Sequence, residues 1–309
     1  MKKFLLLLLL TSIILLSCIN KKADNVNTKA CEEIVTTSII NGEIEIPRPP
    51  SDLTSPEEKA EFILMNFWNP VNFKDTALTG DEKFLEQNFV NFISLLPYTT
   101  VEARRKAVFK LLNKSEEDQR AYDKILNLAE KYLYDIHSPM LNEETFLPFM
   151  LYVSQSKNAS DIDKEVADYT IENINKNLPG RKVPDFEFTD KEGKVLSLYS
   201  LFPDRDIILL FFDPDCEKCK NTIDEIKDNK EISQQIKEGK LSIVAIYSGL
   251  NIPSWRKEIS SFPEEWIVGR EPGIIDDNEL YDLRSIPSIY FLNPDKTIIK
   301  KDYNFIYGK

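Results

Sequence analysis

Residues 207–212 read Ile-Ile-Leu-Leu-Phe-Phe, an unbroken apolar run with no polar position in it. A strand with one wet face alternates in period two, so this run fits a strand covered on both sides, as the inner strands of a parallel sheet are. Residues 241–247 repeat the pattern, and "KNTIDEIKDNKEISQQIKEG" between them has helical spacing. A buried strand, a helix and a second buried strand in that order predict α/β layering for the C-terminal part of the chain.

The same part carries further strand signals. Residues 185–189 alternate, Asp190-Lys191-Glu192-Gly193 reads as a hairpin loop before "KVLSLYSLF", and "NIPSWRKEISSF" reads as one more helix. Residues 288–292 and 297–301 flank Asn293-Pro294-Asp295-Lys296 as an antiparallel hairpin. The predicted order is β-hairpin, β, α, β, α, β, β, beginning after "LPGRKVP" at 178–184.

Upstream, residues 51–178 read as helices. Ser55-Pro56-Glu57-Glu58 supplies an N-cap, a proline at the first helical position and a capping-box glutamate. Behind it, Ala60, Ile63, Leu64, Phe67 and Trp68 fall on one face. Thr99 with Glu102, Ser115 with Asp118, Asn142, and Ser160 with Asp163 are the predicted starts of later helices. Pro97 stops one helix, and Pro148 either kinks another or marks its first turn. Five to six amphipathic helices packed as an all-α domain are expected. His137, the only histidine, sits in "YDIHSPMLNEE", where a solvated or capping role in an interhelix loop is expected.

At the N-terminus, Lys2 and Lys3 precede an apolar run from Phe4 to Leu16. It is too short to span a bilayer comfortably and reads as the core of a signal peptide over residues 1–17. The run ends in Leu15-Leu16-Ser17-Cys18, which resembles a bacterial lipobox; the alternative is an ordinary signal peptide followed by a chance cysteine. The lipobox reading expects lipid on Cys18, a tether over residues 18–50 closing in the stiff "IPRPP", and a lipid-anchored protein of the bacterial envelope. Ile19 and Asn20 carry no acidic retention signal, so the periplasmic face of the outer membrane is the expected location. Cleavage would remove Lys2 and Lys3 and take the net charge from −12 to −14, which argues against nucleic-acid partners.

Cys31 has no sequence-near partner in the tether and reads as a spare thiol, which leaves Cys216 and Cys219 in "DPDCEKCK". A structural zinc site needs four soft ligands, and one cysteine pair with one remote histidine does not supply them; neither metal nor cofactor is expected. A purely structural bridge would close so short a loop that it removes little entropy from the unfolded chain. Dithiol–disulfide exchange explains the spacing better. Where a strand hands over to a helix, unpaired N–H groups and the helix dipole favour a thiolate on Cys216, and Cys219 one turn deeper can resolve a mixed disulfide. Asp215 and Glu217 disfavour that thiolate while Lys218 favours it, so these three are the expected tuners of the couple.

At these residues the sequence resembles a known family. "IILLFFDPDCEKCK" is similar to the active-site strand and helix start of the thioredoxin fold, and "LRSIPSIYFLNPDKTIIKKD" resembles its closing hairpin. "GRKVPDFEFTDKEGKVLSLYSL" is similar to the entry segment of exported TlpA/ResA-like thiol–disulfide oxidoreductases. The resemblance implies a thioredoxin-like domain over residues 179–309. It also implies that Pro287, by its pattern alone a strand-edge proline, is the family's cis-proline, and that Ile286 offers backbone hydrogen bonds to an extended substrate. Residues 50–177 resemble a helical domain of unknown function fused ahead of such thioredoxin domains in lipoproteins, which adds architecture and no activity.

The chain departs from the family at Asp215, where thioredoxins carry tryptophan, and at Glu217-Lys218, where they carry Gly-Pro. Leu210 and Thr222 stand where relatives keep an acidic proton acceptor, and the nearby Asp213 and Glu225 read as solvated. The leading expectation is a lipid-anchored oxidoreductase that reduces or isomerises protein disulfides, drawing electrons from a membrane or periplasmic thiol donor. A thiol peroxidase would need threonine or serine where Asp213 stands. A non-catalytic binding lipoprotein on a thioredoxin scaffold is the remaining alternative, since a fold does not fix a function.

Overall fold

The computed structural model describes residues 38–302. The expected signal peptide, Cys18 and Cys31 lie outside the described residues. A short hairpin of β1 (Ile39–Ile40) and β2 (Glu43–Ile44) comes first. It leads into α1 (Pro56–Phe67), α2 (Thr76–Thr79), α3 (Glu82–Leu95), α4 (Val101–Ser115), α5 (Gln119–Ala129), α6 (Glu143–Gln155) and α7 (Asp161–Lys176). The helical half thus holds seven α-helices among the described residues where five to six are expected, the single turn α2 being unforeseen, and α5 runs on into a π-helical turn at Glu130–Tyr134.

Local hydrogen bonds decide where these helices begin. The Glu58 N–H donates to Ser55 Oγ at 3.0 Å and the Ser55 N–H donates to Glu58 Oε2 at 3.2 Å, the reciprocal box read from the sequence. Ser160 and Asp163 repeat it ahead of α7. Two other starts are displaced. Thr100 rather than Thr99 caps α4, because Thr99 turns its hydroxyl back onto the Leu96 carbonyl at 2.8 Å. Asp118 rather than Ser115 caps α5; Ser115 is the last residue of α4, and its hydroxyl donates to the Leu112 carbonyl. Pro148 lies inside α6 and leaves the Glu144 carbonyl without its intrahelical donor. The aromatic stripes form the core of this half, with Phe67, Trp68, Phe73, Phe89, Phe92 and Phe149 buried together.

The second half contains β3 (Glu187–Asp190), β4 (Val195–Ser197), β5 (Asp206–Phe212), α8 (Glu217–Asp228), α9 (Lys230–Lys237) and β6 (Leu241–Tyr247). α10 (Ile252–Glu258), β7 (Ile267–Arg270), α11 (Ile274–Asp277), β8 (Ser288–Leu292) and β9 (Ile298–Asp302) complete it. The strands form one sheet in the order β4-β3-β7-β6-β5-β8-β9. β5 lies between parallel β6 and antiparallel β8. Ile208, Leu210 and Phe212 enter the core beneath α8, α9 and α10, while Ile207, Leu209 and Phe211 enter the opposite core with Phe186, Leu198 and Tyr281. The central strand is covered on both faces, as its composition requires.

Three features differ from the sequence expectation, the first being α11, a single turn that the predicted order lacks. The long helix after the cysteines breaks at Asn229, whose Oδ1 accepts from the Glu231 and Ile232 N–H groups at 3.0 and 3.1 Å and starts α9. β7 is absent from the predicted order. It is four residues long and contains Gly269, which weakens any strand signal. The glycine is required: a Cβ there would lie 2.2 Å from the Phe188 ring on the neighbouring strand.

Candidate functional site

β5 ends at Phe212, and Asp213 shapes the turn that follows. Its carbonyl accepts from the Cys216 N–H at 3.1 Å, and its Oδ1 accepts from the Asp215 N–H at 2.7 Å. Cys216 thereby becomes the N-cap of α8 in extended backbone, with Sγ accepting from the Cys219 N–H at 3.2 Å. That N–H is one of the donors a helix start otherwise leaves unpaired, so a sulfur anion at Cys216 would have a donor in place. Both cysteines are free thiols; Cys216 is half-buried and Cys219 is fully buried. Burial pushes the Cys219 thiol well above its ordinary range. The backbone N–H of Asp213 opposes that shift, and the Cys216 sulfur and the Asp213 carboxylate add to it.

The lead-in to β8 faces the pair. The Ile286–Pro287 peptide bond is cis. The Cys216 Sγ–H points at the Ile286 carbonyl, 3.8 Å away, and the Ser288 hydroxyl donates to the Ser285 carbonyl at 2.5 Å across the same loop. The fold therefore brings Cys216, Cys219, Ile286 and Pro287 together at the C-terminal end of β5.

The expected tuners separate. The Asp215 carboxylate is bound to the start of α10, accepting from Ser254 Oγ at 2.9 and 3.1 Å and from Asn251 Nδ2 at 3.1 Å. Glu217 and Lys218 are exposed in the first turn of α8. Leu210 and Thr222 are buried and offer no ionisable acceptor, and Glu225 is exposed. Asp213 is half-buried rather than solvated, and its carbonyl holds the Cys216 N–H. Its nearness in sequence was the only signal; the role comes from the turn. His137 is an exposed loop residue with Nδ1 3.1 Å from Asp135 Oδ1. Among the described residues, no group of three or more His, Cys, Asp and Glu side chains is placed to hold a metal ion.

The family model for a domain of unknown function, DUF5106, matches residues 17–177. A thioredoxin-like protein from Bacteroides caccae is 35% identical, with 84% of this chain and 93% of that one covered and a TM-score of 0.77. The C-terminal domain of an uncharacterized protein from Bacteroides fragilis is 33% identical over 41% of this chain and 91% of its own, with a TM-score of 0.40. The thioredoxin domain of a thiol-disulfide oxidoreductase from Bacteroides vulgatus is 18% identical over 41% of this chain and 90% of its own, with a TM-score of 0.37. No curated protein matches the chain. With one family model spanning the helical half and a thioredoxin-like relative aligned along most of the length, this chain belongs to the DUF5106 family and carries a thioredoxin-like domain behind its helices.

Proposed function

We propose that this protein is an envelope thiol–disulfide oxidoreductase that reduces or isomerises the disulfides of other proteins. The reading rests on one arrangement: a half-buried Cys216 at a helix N-cap, a fully buried Cys219 one turn in, and the Ile286 carbonyl 3.8 Å from the Cys216 sulfur. A Cys216 thiolate attacks one sulfur of a substrate disulfide. The mixed disulfide forms as the substrate S–S bond breaks, and the departing substrate thiolate takes up a proton. The Cys219 thiol then loses its proton and attacks the Cys216 sulfur. The Cys216–Cys219 bond forms, the second substrate thiol leaves, and two electrons have passed to the substrate. A membrane or periplasmic dithiol donor returns the pair to the reduced state.

Ile286 and Pro287 border the place where an extended substrate would lie, and Asp215, Glu217 and Lys218 are the local charges that would tune the couple. On this reading acyl chains on Cys18, supported by the Leu-Leu-Ser-Cys motif, anchor the protein, and Ile19 and Asn20, which carry no acidic retention signal, favour the periplasmic face of the outer membrane.

The test is the equilibrium reduction potential of the Cys216–Cys219 couple, titrated on the full chain in detergent. A reversible couple between about −270 and −120 mV is expected, the lower end marking a reductant and the upper end an oxidant or isomerase. A pair with no reversible couple in the folded protein would overturn the reading in favour of a binding protein on a thioredoxin scaffold.

A further inference from the structure

Between α11 and β8 the chain carries Asp282 and Arg284 immediately ahead of Ile286 and Pro287. The Asp282 side chain is 1% exposed. Arg284 Nε lies 2.9 and 3.0 Å from its two oxygens, and the Arg284 backbone N–H donates to the same carboxylate at 3.2 Å. Lys301, on β9, places Nζ 2.5 Å from Asp282 Oδ2 and 3.1 Å from Glu143 Oε2. Glu143 is the first residue of α6 in the helical half; it also pairs with the Arg284 guanidinium. That guanidinium sits 3.7 Å over the ring of Tyr134, again from the helical half. A second tie runs through Asn177, whose Oδ1 accepts from the Tyr290 hydroxyl at 2.8 Å, while the same hydroxyl accepts from the Asp282 N–H at 3.2 Å.

We infer that Glu143 is a positioning residue for the Ile286–Pro287 loop, so that the helical domain sets how the site receives a polypeptide substrate. The inference deepens the oxidoreductase reading and rests on it. Two carboxylates and two cations alternate in a largely buried cluster. Such clusters contribute little net stability after desolvation, and fixing one geometry is their better-attested effect. Arginine is suited to that role, because its planar fork holds a carboxylate in a set orientation and stacks on an aromatic face. Arg284 is two residues from Ile286, whose carbonyl faces Cys216. Without the Glu143 charge, Arg284 and Lys301 would lose the carboxylate that α6 offers them, and the loop would lose one of its fixed points on the helical side.

The experiment compares the full-length wild type in detergent with Glu143→Gln. It reads deuterium exchange in peptides covering residues 282–288, and reduction of both a disulfide-bonded polypeptide and a small aromatic disulfide. Exchange in the loop should rise about tenfold while β5 and β6 are unchanged. KM for the polypeptide should rise about tenfold with kcat and the small-disulfide rate unchanged. Unchanged loop exchange in the folded variant, or an equal loss with both disulfides, would overturn the inference. Should Glu143→Gln fail to fold, Tyr134→Leu keeps all four charges and removes the ring beneath Arg284. It is expected to raise loop exchange and KM in the same way, and no change would again overturn the inference. Exchange needs no catalysis, so a wild type without turnover would sink the oxidoreductase reading while the loop clamp is still judged on exchange.

Discussion

The backbone carbonyl of Ile286 stands 3.8 Å from the sulfur of Cys216, although seventy positions separate the two residues. That contact brings a backbone acceptor beside the cysteine of the pair that solvent can reach. Cys219 lies behind it, fully buried. The two sulfurs are therefore unequal in access, and burial pushes the Cys219 thiol up.

Each single serine variant should fail differently. Cys216→Ser should reduce turnover of a disulfide substrate to the uncatalysed level. Cys219→Ser should still be attacked by, or attack, one substrate molecule and then stall. The expected product is a covalent adduct on Cys216, measured by intact-protein mass spectrometry and released by excess dithiol. Full turnover in Cys216→Ser would contradict the assigned roles.

The buried thiol sets a pH dependence. Burial raises the folded-state pKa of Cys219 above its unfolded value, so the neutral thiol is the form the fold favours. The resulting stabilisation is fully present below the unfolded value of about 8.5 and is lost as pH rises through the raised folded value. The unfolding free energy of the reduced protein should therefore fall above that pH, by up to about 1.4 kcal/mol per pH unit for one proton, as read from denaturant titrations. A Cys219→Ser variant should lack this part of the slope. Asp213→Asn removes a negative charge that raises the thiol pKa, so alkylation of Cys219 should begin at lower pH than in the wild type. Identical alkylation profiles would show that the Asp213 charge does not reach the sulfur.

Gly269→Ala should destabilise the sheet without touching the cysteines. The added methyl would meet the Phe188 ring at 2.2 Å and the Thr189 carbonyl at 3.2 Å, so either the ring or the β3–β7 pairing must shift. A loss of about 1–3 kcal/mol is expected from such overpacking, read as a lower denaturant midpoint. The potential of the Cys216–Cys219 couple should stay unchanged, because β6 separates β7 from β5.

The anchor is tested separately. Cells supplied with labelled palmitate should incorporate it into the wild-type chain, and Cys18→Ser should abolish both the label and co-sedimentation with membranes. Retention of the label in Cys18→Ser would refute lipidation at that cysteine.

The helix starts show which parts of the fold were legible. Ser55 with Glu58 and Ser160 with Asp163 were readable because each box closes within three residues. Thr99 and Ser115 misled because a hydroxyl can serve the turn before it as well as the helix after it, and the backbone path decides which. β7 was missed because its glycine answers to Phe188, a residue on a different strand.

At the site, the sequence by itself determined the unit of buried strand, cysteine pair and helix start, because burial on both faces and N-terminal capping are written in consecutive residues. Only the tertiary structure decided which groups that unit meets. Asp215 reads as a charge with no partner until Ser254 and Asn251, nearly forty positions away, donate to its carboxylate. Glu143 looks like an ordinary first-turn glutamate until Arg284, from the loop before β8, and Lys301, from β9, close on it. Local hydrogen bonds depend on spacing along the chain. These long-range pairs depend on where the packed helices and the sheet come to rest, and that is settled by burying both cores at once.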